Sequence, residues 1–169
     1  MLMVHPVSDE SHRALDIFGP IVEFTTSPLE PGSAYCVMEG IIPPGVAVPL
    51  HSHPDPESFY ILSGHGQTLC QRGEQLEWVD VKPGDFVHVP SGSKHAHRNT
   101  STEPLVELIV TTVTLGRFFQ EVGRPAEPNT SPVAPSENDV RHFQETAGQY
   151  NHWVASPEEN AAVGIVLPA

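Results

Sequence analysis

Five side chains between residues 51 and 97 have the types and spacing to hold a metal ion. His51 and His53 lie two residues apart, which puts both imidazoles on one face of an extended chain. Glu57 follows past Pro54 and Pro56, where a turn can return its carboxylate to the same point. His95 and His97 repeat the two-residue spacing on a later segment, again on one face. Imidazoles and a carboxylate converging inside a barrel form a mixed nitrogen and oxygen set. Such a set suits Fe, Mn, Co, Ni, Cu or Zn better than Ca or Mg.

The elements that must position these groups read as strands. From 35 to 113 the apolar runs are YCVMEGII, SFYILSG, QTLCQ, LEWVDV, DFVHVP, KHAHRN and LVELIVTTV. Glycine and proline clusters separate them: PPG at 43–45, RGE at 72–74, KPGD at 82–85 and PSGS at 90–93. Short strands at such spacing predict a sandwich or closed barrel. A further strand is expected at Ile21–Thr26. Beyond the barrel, Leu115, Phe118, Phe119 and Val122 fall on one face of a helix over 114–123, with Gly123 as its cap. Pro125, Pro128, Pro132 and Pro135 then form a linker. Ser136 and Asp139 resemble a capping box that opens a helix to about Tyr150, with Val140, Phe143 and Ala147 on one face.

Composition narrows the partners. The chain has 169 residues, enough for one domain, and a formal charge of −13 from 21 acidic and 8 basic side chains. An acidic surface repels phosphate backbones and anionic lipid heads, so nucleic-acid and membrane roles are not expected. No run approaches the 18 apolar residues of a membrane span, and MLMVHPVSDESHR does not read as a signal peptide. Cys36 and Cys70 lie in separate apolar runs and read as two free thiols in a reducing compartment, so a cytoplasmic location is expected. The sequon Asn99-Thr100-Ser101 carries no meaning there.

Two segments carry a family resemblance. Gly45, His51, His53, Glu57 and Gly64 match the first cupin motif, G-x5-H-x-H-x3-E-x6-G, without exception. Gly84, Pro90, Gly92, His95 and Asn99 match its companion, G-x5-P-x-G-x2-H-x3-N. The chain therefore resembles the cupins, in particular small bacterial members similar to quercetin dioxygenase. The resemblance implies an all-β, double-stranded β-helix (jelly-roll) barrel with one or two short C-terminal helices. The barrel, N-terminal strand and following helix would occupy 1–123. The linker and a helical extension packed on the barrel would occupy 124–169. It also implies a divalent transition metal held by His51, His53, Glu57 and His95.

Other residues carry weaker expectations. His97 is a candidate substrate contact or hydrogen-bond partner of the ligands, or else an inert buried group. Phe59 shares the parity of Glu57 and fills the core or lines the pocket, with Val46, Val48, Val87 and Leu108 as further apolar lining. His88, Lys94 and Arg98 are expected to face outward, His65 to sit at a hairpin position without a functional role, and Trp78 and Trp153 to serve as core or dimer contacts. The favoured function is an oxidoreductase, dioxygenase-like, acting on a small organic substrate such as an aromatic one, with Glu57 as proton acceptor. A non-redox isomerase or lyase, or a small-molecule-binding module, is the alternative, because the fold does not dictate the reaction. A homodimer is expected, with the apolar faces of the 114–123 and 137–150 helices available to the barrel or to a partner.

Overall fold

The structure, a computed structural model, describes residues 14–28, 32–73, 75–126 and 134–166. In chain order the elements are β1 (Leu15–Asp16), β2 (Ile21–Phe24), β3 (Tyr35–Ile42), β4 (Ala47–Ser52), β5 (Glu57–Ser63), β6 (Gly66–Arg72), β7 (Gln75–Val81), β8 (Phe86–Val89), β9 (His95–Arg98) and β10 (Leu105–Thr112). They are followed by α1 (Val113–Val122), β11 (Arg124–Pro125), α2 (Glu137–Gln149), β12 (Trp153–Val154) and α3 (Pro157–Ala162).

One sheet runs β11-β1-β2-β3-β10-β5-β8 and the other β12-β4-β9-β6-β7, with antiparallel pairing throughout. The strands alternate as a half-buried sheet must. On β3, Cys36, Met38, Gly40 and Ile42 are buried while their neighbours are not. At one end of the barrel Ile42, Ile61 and Leu105 of the seven-stranded sheet meet Val81, Val46 and Val48 of the other, an apolar plug. Toward the other end the inward positions become polar: Glu57 on β5, Thr111 on β10, and His95 and His97 on β9.

Two glycines are dictated by space. Gly64 ends β5 with a φ of 78°, and a Cβ there would stand 2.1 Å from the Pro104 carbonyl oxygen. Gly40 lies opposite Glu107, and a Cβ on it would come within 2.7 Å of the Ile109 side chain and 3.2 Å of Glu107. Gly123 does follow α1 as its cap, but in extended conformation, where close approach to Leu15 and Phe119 excludes a side chain.

The strand and helix expectations hold in the main, with three corrections. Leu108 does not line the interior: β10 turns Leu105, Glu107, Ile109 and Thr111 inward, so Leu108 faces outward beside exposed Tyr60. Both parities of LVELIVTT are rich in apolar residues, so periodicity alone did not choose between them. The faces of α1 and α2 are not free for a partner, because Leu115, Phe118 and Val122 pack against Ala147, Phe143 and Tyr150. A further helix, α3, has a Ser156–Glu159 capping box and Pro157 in its first turn, a start signal present in the sequence. Of the linker prolines, Pro125 belongs to an edge strand, the position in a sheet that tolerates a missing N–H. Pro128 and Pro132 lie outside the described residues.

Candidate metal centre

The site is built by β4, β5 and β9. His51 and His95 lie opposite each other in the β4–β9 ladder, beyond a bulge after Val48 that brings the two imidazoles to the same face. Their ring centroids are 4.1 Å apart, and the His53 ring lies 5.6 Å from His51 and 5.0 Å from His95. The turn between His53 and Glu57 is pinned from outside. Gly92 N–H donates to the His53 carbonyl at 2.8 Å, Ser91 Oγ donates to the Pro54 carbonyl, and Thr111 Oγ1 donates to the Pro56 carbonyl at 2.9 Å. Asp55, itself buried, accepts from the Thr112 hydroxyl, which also caps α1. These bonds return Glu57 to the cluster, as the two prolines in the sequence suggested.

Each histidine of the cluster has one nitrogen committed. Nδ1 of His51 faces the Pro49 carbonyl at 2.7 Å, Nδ1 of His53 the Asp55 carbonyl at 2.7 Å, and Nδ1 of His95 the Ser93 carbonyl at 2.9 Å. A carbonyl oxygen only accepts, so each Nδ1 carries the proton and each Nε2 keeps its lone pair. This is the outer support that orients metal-binding imidazoles. The three ligand atoms lie within 4.8 Å of one another. Glu57 falls outside that common spacing but touches two of the three, with Oε2 3.3 Å from His53 Nε2 and 3.7 Å from His95 Nε2. Two donors each about 2.1 Å from one ion stand at most about 4.2 Å apart, a limit that the Glu57 contacts with His53 and His95 meet. The buried Nε2 atoms of His53 and His95 have no hydrogen-bond donor. Buried acceptors without partners are costly, and a cation satisfies them together. His51, His53 and His95 are positioned for metal binding.

Burial, reinforced by the neighbouring His95 and His53, holds His51 well below the ordinary histidine value, so it is neutral and able to ligate. Burial alone would pull His53 down, yet the Glu57 carboxylate keeps it above its ordinary value. Burial would raise Glu57, but in the metal-free protein His53 and His95, when protonated at Nε2 and so able to donate to it, hold it far below the usual carboxylate range. A proton on His53 therefore competes with a metal for the same lone pair.

His97 and Phe59 lie one layer deeper, their rings 4.5 Å apart. Burial depresses His97 to about 3; its Nδ1 meets the Thr68 hydroxyl at 3.1 Å, and its Nε2 has no partner. Phe59 belongs to the core cluster with Met38, Val89 and Ile109. His88 is exposed, as expected, and bonds Ser58; His65 is exposed too. Lys94 lies over Trp153 and Arg98 over Trp78, both away from the interior. Asn99 of the second motif is buried and ties the Ile42 and Glu103 carbonyls, a structural role. A surface cleft of about 350 Å³ near His65, Lys82, Thr100 and Ser101 lies at the opposite end of β5 from Glu57 and is separate from the histidines.

Two interior groups were not legible beforehand. Glu107 is buried, its Oε2 has no partner, and burial with the charge of Glu57 raises it to about 8, so it is a neutral acid at pH 7. The alternation Leu105, Glu107, Ile109, Thr111 was the available signal. His152, from the C-terminal extension, has its ring 5.4 Å from that of His53. No local pattern marks it, because it arrives through long-range pairing.

The family model for the cupin domain matches residues 38–111, the span that holds β3 to β10 and all four motif residues of the cluster. Residues 38–111 are a cupin domain. Among curated relatives, quercetin 2,3-dioxygenase of Bacillus subtilis is 30% identical over 79 residues, covering 47% of this chain and 22% of that protein. Glucose-6-phosphate isomerase of Pyrococcus abyssi is 32% identical over 90 residues, covering 52% and 46%. Dimethylsulfoniopropionate lyase of Ruegeria pomeroyi is 35% identical over 69 residues, covering 41% and 32%. The matches thus span between about a fifth and under half the length of these relatives. The fold also matches solved structures. Oxalate decarboxylase of Bacillus subtilis superposes with a TM-score of 0.52 at 23% identity, over 59% of this chain and 27% of that one. A double-stranded β-helix protein from Klebsiella pneumoniae does so with 0.51 at 19% identity, over 65% and 90%.

Proposed function

We propose that the cupin holds a divalent transition metal through His51, His53, Glu57 and His95, and acts as a dioxygenase on a small enolic or aromatic substrate. The observation that carries this reading is the convergence of three imidazoles, each fixed by an Nδ1–carbonyl bond, with the Glu57 carboxylate against two of them, His53 and His95. A bound metal supplies Lewis acidity and, if redox-active, a route for electrons to dioxygen. Glu57, ionised and touching His53 and His95, is the group suited to accept a substrate proton. Phe59, Val46, Val48 and Val87 form an apolar wall that keeps water out and favours a hydrophobic ligand. Lys94 and Arg98 are engaged on tryptophans outside the barrel, which argues against a phosphorylated sugar as substrate.

A non-redox lyase or isomerase is the second reading, favoured by Glu107, a neutral buried acid able to donate a proton where an oxygenase needs none. One experiment separates the two. Protein loaded separately with Fe, Mn, Co, Ni and Cu is given a catechol and flavonol panel, with oxygen uptake and product mass recorded. Oxygen-dependent conversion that falls about 100- to 10,000-fold in Glu57→Gln supports the dioxygenase. Equal conversion under nitrogen transfers the assignment to the non-redox reading.

The free Cys36 and Cys70 fit a reducing cytoplasm. Among the described residues no helix is long and apolar enough to cross a membrane. We further propose a homodimer through the outer face of the seven-stranded sheet. There Tyr60 and Phe86 pair across β5 and β8, and Leu62 and Val110 add to an exposed apolar patch beside the edge strand β8.

A further inference from the structure

The segment after α2 reaches the metal cluster by a defined route. α2 stops at Tyr150, Asn151 takes a left-handed φ of 57°, and His152 N–H donates back to the Ala147 carbonyl at 2.8 Å. This six-to-one bond closes a helix with a residue that tolerates the left-handed conformation, and asparagine is the usual choice after glycine. The chain then enters β12, where Trp153 pairs with Ser52 and Val154 with His51. Continuing that register sets His152 beside His53, on the inward face shared by alternate residues. The ring of His152 lies 5.4 Å from that of His53 and 4.2 Å from that of Phe118. Its Nε2 is buried and has no partner.

That orphaned nitrogen belongs to a larger pattern. Nε2 of His53, His95, His97 and His152 are all buried without partners, and their rings form a connected chain with His51. His152 does not join the group of ligand atoms within 4.8 Å of one another, so it is a neighbour of the shell and not a member. It lies outside residues 38–111, which carry the family's own motifs. A buried ring nitrogen beside a metal cluster needs a hydrogen-bonding partner, and the described residues offer none.

We infer that the C-terminal extension completes the site of this cupin, with His152 as a binding residue that hydrogen-bonds a small oxygen- or nitrogen-donor ligand held in the open part of the metal centre. The inference rests on the metal-binding reading above and adds a residue that the barrel alone does not contain. It also gives the extension a role beyond packing: residues 150–154 supply the ligand's partner on the His53 side of the site.

The test uses Co(II) as the metal and azide as the probe ligand, followed by visible absorption. The full-length protein should bind one Co(II), and azide should perturb the spectrum. His152→Phe keeps an aromatic ring against Phe118 but removes both nitrogens. It should leave Co(II) affinity within about threefold and weaken azide binding by about tenfold or more, the loss of one hydrogen bond to a charged ligand. His152→Asn should restore part of the azide affinity, and exposed His142→Ala should behave as wild type. Azide binding that is unchanged in His152→Phe overturns the inference, as does a wild-type Co(II) protein that azide does not perturb. Co(II) affinity that falls in His152→Phe as far as in His51→Ala also overturns it, because His152 is then a ligand. Failure of the wild type to bind Co(II) sinks the metal reading itself and this inference with it.

Discussion

The two sheets of the barrel are finished differently on their outer faces. Behind the histidine-bearing strands β4 and β9, Leu50, Leu69 and Ala96 are covered by Ala155, Ile165, Trp153 and Val163 of the extension. Asn160, fully buried, accepts from Leu50 N–H at 2.8 Å, and Trp78 donates to the Val163 carbonyl at 2.8 Å. The seven-stranded sheet instead leaves Tyr60, Leu62, Phe86 and Val110 between 39% and 66% exposed. The difference teaches where rigidity is needed. Strands that aim imidazoles are clamped from both sides, as a site with fixed geometry requires, while the sheet contributing only Glu57 to the cluster keeps a bare back.

Breaking the clamped side at its functional centre should have the largest effect. His51→Ala with His95→Ala should lower metal occupancy at least about tenfold by elemental analysis, while circular dichroism shows an intact barrel, because the apolar plug does not depend on the site. Stoichiometric metal in the double variant would falsify the assignment.

Glu107 gives the next effect, on the interior wall of the other sheet. Its folded-state value of about 8 lies above the ordinary 4.5. The folded protein thus holds a proton that the unfolded chain has released. Its stabilising contribution is complete below about pH 4.5 and is lost as the pH climbs through 8. Glu107→Gln in metal-free protein should flatten this dependence and raise stability at pH 8, on the order of a few kcal/mol by urea titration. A pH profile identical to that of the wild type would show that the carboxyl is already ionised at neutral pH.

Asn160→Ala tests the clamp alone. It leaves Leu50 N–H buried without an acceptor, at a cost of about 2 kcal/mol, and should lower the melting temperature by about 4–8 °C. A shift below 1 °C means that the extension does not brace β4. The smallest change is expected on the bare face, where Phe86→Ser should move stability by under about 0.5 kcal/mol. The same substitution should convert the dimer to monomer by light scattering; a monomeric wild type removes the proposed interface.

What could be read in advance follows the same division. Motif spacing and period-2 alternation singled out His51, His53, Glu57 and His95, which the structure brings together, because a strand fixes side-chain direction over two residues. Lys94 and Arg98 were correctly turned outward by the same rule. The rule failed on β10, where Glu107 and Leu108 exchanged roles because both faces of the strand carry apolar residues. It was silent on His152, which meets His53 at a sequence separation of 99 and through a two-residue strand. α3 was legible in its Ser156–Glu159 spacing and was missed.

The order in which the ribosome makes these parts has its own consequence. β10 ends at Thr112, about 40 residues before His152. At about 5–20 residues per second, synthesis of β10 is complete roughly two to eight seconds before the segment that flanks His53 has been made. During that interval the histidine cluster is open on one side. A metal that reaches the nascent chain then meets a wider entrance than it finds in the finished protein, so metals captured during synthesis and metals exchanged afterwards face different kinetic barriers.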